Sequence, residues 1–133
     1  MPGYSGTPLF KKLGIKGGIR VALLDLPAEV RAELNPALST CQIDRYGKKP
    51  VDFILYFARS KAGLNDFDHF VKSLAPNGMI WISWPKKSSG VPTDLDENKV
   101  RNIGLAGGLV DVKVCAITDV WSGLKFVRRL KDR

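Results

Sequence analysis

The sequence has little of the chemistry that most often reveals an enzyme. It contains one histidine, His69, and two cysteines, Cys41 and Cys115. A lone histidine is a poor basis for a metal site, no serine stands in a G-x-S-x-G context, and no G-x-x-x-x-G-K-[ST] segment is present. We therefore predict no catalytic set and no metal site, although the sequence leaves open whether the protein is an enzyme. The two cysteines are expected to be free, packed thiols, which suits a reducing cytoplasm.

Long apolar stretches are also missing. No run of 18 apolar residues exists, so no transmembrane helix is expected. The N-terminus lacks the basic-then-apolar order of a signal peptide. We therefore expect a cytoplasmic protein with no membrane partner. A chain of 133 residues that is 44% hydrophobic and 26% charged is expected to form a single α/β domain over residues 1–133.

Acidic residues are nearly absent from the two ends of the chain. The formal net charge is +8, and it divides into +4 for residues 1–20, zero for residues 21–120 and +4 for residues 121–133. If the ends lie close together, they form one basic patch that could attract nucleic acid, a phosphorylated metabolite or an acidic protein. The alternative is a charge excess that only keeps this basic protein in solution.

Strand-like and helical patterns alternate along the chain. Buried strands are predicted within residues 19–26, 51–59 and 79–85, with a weak strand at 41–43. Helices are predicted over residues 7–14, 27–34, 60–75 and 93–106, with Thr7, Ser60 and either Thr93 or Asp94 as caps and a turn at 76–78. Two final strands, residues 109–118 and 121–131, are joined closely enough to form a hairpin, and Val110, Val112 and Val114 mark one apolar side of the first.

This order predicts a three-layer, Rossmann-like α/β fold, with a mainly parallel sheet that ends in an antiparallel hairpin. The segment "VDFILYFARSKAGLNDFDHFVKSLAPNGMIWISWPK" resembles the strand–helix–"L-x-P-x-G"–strand segment of the class I S-adenosylmethionine-dependent methyltransferases. There an acidic residue, here Asp52, begins one strand, and a turn with glycine leads into the next. The resemblance covers residues 51–85 and implies a methyltransferase-like core with S-adenosylmethionine as a possible cofactor.

The first half of the chain departs from that family at the cofactor loop. In those enzymes the first strand runs into glycines, which let the backbone approach the cofactor because a side chain there would collide with it. Here "IRVALLD" runs into "LPAEV", and only Asp44 follows a second strand as a partner for ribose hydroxyls. The sequence therefore predicts no cofactor as its main interpretation.

From end to end the sequence also resembles a family of small uncharacterised bacterial proteins, a domain of unknown function. The segments that carry this resemblance are "SGTPLFKKLGIKGGIRV", "WPKKSSGVPTDL" and "GLVDVKVCAITDVWSGLKFVRR". It implies a compact bacterial cytoplasmic protein and supplies no activity.

A sheet of this kind binds ligands beyond the carboxyl ends of its parallel strands. The loop after the third buried strand is basic and rich in hydroxyls, and the N-terminus of the following helix favours anions. We predict that an anionic ligand or partner binds there through Lys86, Lys87, Ser88, Ser89, Gly90 and Thr93. Possible contributors from the same edge are Asp25, Arg59, Ser60 and Trp84. The alternative is a solvated surface loop, with acids after Thr93 that partly neutralise the lysines.

The three tryptophans allow a further interpretation, because aromatic rings beside a basic surface can stack on nucleic-acid bases. Trp81 and Trp84 are three residues apart, so on a regular strand they face opposite sides of the sheet. Trp81 is predicted to lie in the core and Trp84 at the ligand edge. Trp121 is placed at a turn, where it could be exposed, although core packing is the default expectation for all three rings. The main functional prediction remains non-catalytic binding of an anion, and the alternatives are a methyltransferase-like enzyme and a nucleic-acid-binding protein that uses its basic ends.

Overall fold

The computed structural model describes residues 6–44 and 49–133. Six strands form one sheet in the order β2-β1-β3-β4-β6-β5. The strands β2, β1, β3 and β4 are parallel to one another, whereas β6 runs antiparallel to both β4 and β5. The strands are β1 Arg20–Leu24, β2 Gln42–Ile43, β3 Val51–Phe57, β4 Leu74–Pro85, β5 Leu109–Ala116 and β6 Trp121–Arg128. This confirms the predicted fold class.

Helices cover both faces of the sheet and complete three layers. They are α1 Leu9–Leu13, α2 Ala28–Leu38, α3 Phe67–Ser73 and α4 Glu97–Ala106, with short 3-10 turns at Lys61–Leu64, Lys87–Ser89 and Leu130–Asp132. The apolar residues of α1 and α2 share one buried cluster, and those of α3 and α4 share the other. We call the two sides the α1/α2 face and the α3/α4 face. The longest helix in residues 6–44 and 49–133 has 11 residues, and none there is long and apolar enough to cross a bilayer.

The central strands are apolar on both sides because both faces are covered. Along β4, Trp81 packs into the cluster of the α1/α2 face, and Ile82 and Trp84 pack into the cluster of the α3/α4 face. Trp81 is fully buried, as predicted. Trp84 and Trp121 are 4% and 3% exposed, so the default expectation of core packing is confirmed and the possible exposure of Trp121 is not found. The reason is that Trp121 begins β6 and packs edge-on against Phe57, with ring centroids 5.0 Å apart.

Two of the helix starts differ from the prediction. Pro8 is the N-cap residue of α1, and no side chain among the described residues caps that helix, so Thr7 does not have its predicted role. The side chain of Asp96 caps α4 by accepting from the Lys99 amide at 2.8 Å, which makes the prediction of Thr93 or Asp94 wrong. Ser60 does cap, accepting from the Gly63 amide, but it caps the 3-10 turn that precedes α3.

Two strands also differ from the prediction, β4 in where it begins and β5 in its register. β4 begins at Leu74, so the residues predicted as a turn lie within it, where the β3–β4 register shifts between Val51 and Phe53. A second register shift lies in β5 between Asp111 and Lys113. Because of this bulge, Val110 pairs with Val127 on the α1/α2 face and Val114 pairs with Leu124 on the α3/α4 face. The predicted single apolar side of β5 is therefore wrong.

Candidate functional site

The strand order places a topological switch point between β1 and β3. The chain leaves β1 through α2 on one face to reach β2, and it leaves β3 through α3 on the other face to reach β4. Helices that depart to opposite faces leave a crevice outside the carboxyl ends of the two neighbouring strands, and ligands of open α/β sheets bind in such crevices. The candidate site is therefore the edge formed by Asp25 after β1 and by Arg59 and Ser60 after β3.

Asp25 turns the chain sharply where β1 ends. Its φ of 55° makes it the one non-glycine residue with a positive φ in residues 6–44 and 49–133. Aspartate tolerates this left-handed region better than most residues, but it still pays a steric cost that glycine avoids. The turn leads through Pro27 into α2, which has no side-chain cap at its N-terminus. Among the described residues, no side chain caps the first amides of α2, which lie beyond β1.

Arg59 lies at the same edge, where its guanidinium packs over the ring of Trp121. Its guanidinium carbon lies 5.1 Å from the centroid of the Trp121 ring, a cation–π contact. Trp121 belongs to the cluster of the α1/α2 face. Arg59 and the start of α2 are therefore on the same face of the sheet, on either side of the switch point.

The segment that follows β4 folds back over the end of β3. The Thr93 hydroxyl donates to the carbonyl of Arg59 at 2.7 Å and accepts from the Leu95 amide at 3.1 Å. The Asp94 carboxylate accepts from the Lys61 amide at 2.7 Å. These bonds fix the loop after β4 against the loop after β3. The Thr93 hydroxyl already donates its proton to a carbonyl of the protein, so it does not donate to a ligand in this arrangement.

The loop after β4 holds the residues that the sequence singled out for anion binding. The Lys86 amide donates to the Val120 carbonyl at 2.8 Å, and the Ser89 hydroxyl donates to the Lys86 carbonyl at 2.6 Å. Lys87, Ser88 and Gly90 are exposed, and within residues 6–44 and 49–133 neither lysine ammonium of this loop forms an ion pair. The assignment of this loop to an anion stays a prediction, with the lysines as the groups still able to contact one.

The helix that was expected to complete this anion site has its own negative charge. Asp96 caps the N-terminus of α4, and Glu97 follows in its first turn. A capping carboxylate satisfies the amides that an external anion would need. The helix N-terminus available at this edge is therefore that of α2.

Tyr56 is a residue that sequence analysis missed. It is 7% exposed, its hydroxyl donates to the Gly63 carbonyl, and its ring packs edge-on against Phe70. Burial raises the pKa of Tyr56, and the charges of Asp66 and Asp25 raise it further. Tyr56 therefore stays neutral and holds the turn after β3 in place. Its only signal in the sequence was its position near the end of a buried strand.

The remaining candidates lie away from the edge or form no group. His69 is exposed on α3 and packs against the ring of Phe70. Cys41 and Cys115 are free and half-buried. In the described ranges no three His, Cys, Asp or Glu side chains come together in a way that would hold a metal ion.

Comparison with known proteins identifies the fold and goes no further. The sequence matches no protein-family model and no curated protein. A SAM-dependent methyltransferase from Aquifex aeolicus is similar in structure at 15% identity, with a TM-score of 0.61 over 89% of this chain and 86% of that one. A putative type 11 methyltransferase from Sulfolobus solfataricus has 19% identity and a TM-score of 0.57 over 91% and 89%. A complex of DhpI with SAH has 13% identity and a TM-score of 0.57 over 92% and 83%. The chain thus has the fold of class I S-adenosylmethionine-dependent methyltransferases.

The residues at the edge do not fit S-adenosylmethionine in the way that the family resemblance implies. The turn after β1 contains Asp25, Leu26, Pro27 and Ala28, and each carries a Cβ where the family has glycines. Asp44 does follow β2, but its carboxylate lies 3.7 Å from the guanidinium of Arg20 at the start of β1. Since Ile43 pairs with Val21, Asp44 stops well short of the carboxyl edge. The one acid expected to hold a ribose is therefore turned toward the opposite end of β1.

Proposed function

We propose that the protein binds a small ligand with an anionic group at the carboxyl edge between β1 and β3, and that it does so without catalysis. The observation that carries this proposal is the switch point itself, with the uncapped start of α2 after β1 and Arg59 after β3 on the same face. Helix amides and a guanidinium suit a phosphate, sulfate or carboxylate, because both supply directed donors and positive potential.

Lys86 and Lys87 extend the positive charge of this edge. Arg59 and both lysines lack ion pairs in the part of the chain that the structure describes. A ligand would therefore meet three cations that, among the described residues, form no ion pair with a carboxylate of the protein, beside the carboxylates of Asp25 and Asp94 at the same edge. The hydroxyls of Ser89 and Thr93 keep their bonds to carbonyl groups and shape the loop.

Thermal unfolding in the presence of anions tests the proposal. Inorganic phosphate should raise the melting temperature more than chloride at equal ionic strength, because a ligand at 100 times its Kd adds about 2.7 kcal/mol. The Arg59→Gln variant and the Lys86→Ala/Lys87→Ala variant should each lose most of this shift. Lys72→Gln, which removes an exposed charge from α3, is the matched control and should keep it. An equal shift in all four proteins would show that phosphate acts only through its general salt effect and would overturn the assignment.

A second candidate is an S-adenosylmethionine-dependent methyltransferase-like enzyme. The likeness of the fold to methyltransferase structures favours it, while the side chains of the β1–α2 turn and the placement of Asp44 oppose it. S-adenosylmethionine and S-adenosylhomocysteine at millimolar concentration belong in the same unfolding scan. Stabilisation by either, confirmed by calorimetric titration, would favour the enzyme over the non-catalytic binder. No shift with either compound would remove this candidate.

A further inference from the structure

A row of three residues crosses the other half of the sheet, far from the β1–β3 crevice in strand order. Lys113 on β5 pairs with Lys125 on β6, and Lys125 pairs with Trp81 on β4. Partners in antiparallel strands share a face, and Trp81 belongs to the α1/α2 cluster. Both lysines therefore lie on the α1/α2 face. Lys12 of α1 lies over the same strands, with its ammonium 3.4 Å from the Ala116 carbonyl.

This arrangement is unfavourable for the folded protein by itself. Like charges directly opposite each other on neighbouring strands destabilise a sheet. Lys125 is only partly exposed, and burial lowers its pKa, with the charge of Lys113 lowering it further. The ammonium of Lys113 lies 6.0 Å from the Trp81 ring, which compensates for little of the repulsion.

No carboxylate side chain of the protein relieves the two lysines. All 13 aspartates and glutamates lie within residues 6–44 and 49–133, and within those ranges neither Lys113 nor Lys125 forms an ion pair. Trp81 is fully buried, and the apolar stems of the two lysines can cover its ring while their ammonium groups face solvent. Positive charge held at a cost in stability at Lys113 and Lys125, without an ion pair to a carboxylate in the described ranges, indicates an external anion.

We propose that Lys12, Lys113 and Lys125 form a binding surface for the phosphate backbone of nucleic acid, which we call the lysine face. Lys11 of α1 is also exposed. A row of cations on the face of a sheet, spaced by strands about 4.8 Å apart, suits a chain of repeated charges. The large hydrophobic side chains that are exposed in residues 6–44 and 49–133 include no aromatic ring, so binding should depend on phosphates and little on base sequence.

The lysine face takes one lysine from each basic end of the sequence, Lys12 and Lys125, and adds Lys113 from between them. The C-terminal arginines have structural partners: Arg128 donates to the carbonyls of Val71 and Leu74, and Arg129 pairs with Asp132. The cations assigned here come instead from α1 and from the two hairpin strands. The inference is independent of the proposed anion site at the β1–β3 edge.

Fluorescence anisotropy with a labelled oligothymidylate tests the lysine face. Contact with about three phosphates predicts that log K falls with log salt with a slope of about −2 for a single strand. The Lys113→Gln/Lys125→Gln variant should reduce that slope to about −0.7 and weaken binding at least tenfold at low salt. The matched control is Lys72→Gln/Lys99→Gln, which removes the same charge from exposed positions on α3 and α4 and should keep the wild-type slope.

No binding at low salt, or equal losses of binding in both double variants, would overturn the proposal. Tighter binding of polyglutamate with the same dependence on the lysines would also overturn it and would indicate an acidic protein partner. Melting temperatures guard against misfolding. Because the substitution removes a repulsive pair, Lys113→Gln/Lys125→Gln should melt at or above the wild-type temperature while binding is lost. A variant that binds less and also melts lower would assign the lysines a structural role.

Discussion

At the scale of single residues, Asp25 is the clearest departure from what a purely structural turn would use. Its φ of 55° lies in the region that glycine enters without steric cost. We expect Asp25→Gly to raise the free energy of unfolding by up to about 1 kcal/mol, and Asp25→Ala to lower it, because alanine keeps the clash and loses the polar side chain. Urea denaturation measures both. Destabilisation by Asp25→Gly would show that the carboxylate itself stabilises the turn.

Residue identity also marks the limit of what the sequence could predict about the candidate site. The edge residues Asp25, Arg59 and Ser60 follow from the rule that parallel strands present their carboxyl ends together. The roles of Thr93 and Asp94 do not, because their partners, the Arg59 carbonyl and the Lys61 amide, are 34 and 33 positions away along the chain. Hydrogen bonds over such separations depend on how two loops meet, which local patterns do not encode.

At the scale of elements, the end of α3 depends on a side chain from the end of β6, which lies beside the start of β4. One nitrogen of Arg128 donates to the carbonyls of Val71 and Leu74 at 2.7 and 2.6 Å. The Val71 carbonyl lies in the last turn of α3 and also accepts from the Leu74 amide, while Leu74 is the first residue of β4. We expect Arg128→Met to lower the free energy of unfolding by about 2–3 kcal/mol, measured by urea denaturation, because two hydrogen bonds from a charged donor are lost.

The next residue along the chain is the control for that prediction. Arg129 pairs with Asp132, and both side chains are more than a third exposed. Exposed ion pairs contribute little, so Arg129→Met should change the free energy of unfolding by less than about 0.5 kcal/mol. Equal effects of the two substitutions would mean that the loss of a C-terminal charge, and not the bonds to α3, sets the cost.

The order and type of the elements could be predicted from the sequence, whereas several of their limits could not. Apolar runs bounded by glycine or proline predicted β1, β3 and β4 because these strands are buried on both faces. β5 was misread because its bulge moves Val114 to the face opposite Val110, and a bulge leaves no mark in an alternating pattern. The cap of α4 was misplaced because Thr93, a good capping residue, makes its bond to the loop after β3 instead.

At the scale of the whole molecule, the charge is unbalanced and its attractive pairs are few. The net charge is +8. In the four ion pairs among the described residues, the basic partner is always Arg20, Arg101 or Arg129. Most basic residues therefore add repulsion without a matching attraction, and Lys113 and Lys125 add it between neighbouring strands. At 0.1 M salt, exposed charges that are more than about 10 Å apart are largely screened from each other. Added salt therefore weakens the repulsion among the basic residues spread over this surface.

We therefore expect the melting temperature of the unliganded protein to rise by a few degrees as sodium chloride increases from about 0.01 to 0.3 M, since roughly 1 kcal/mol corresponds to about 3–5 °C for a chain of this size. Scanning calorimetry at constant pH measures it. Arg101→Gln removes the contacts with Glu97 and Asp111, which salt weakens, so this variant should show a larger rise than the wild type. Lys113→Gln/Lys125→Gln should show a smaller one. A melting temperature that falls with salt would mean that attraction among the exposed charges outweighs the repulsion, and the cost assigned to the lysine face would then have to be withdrawn.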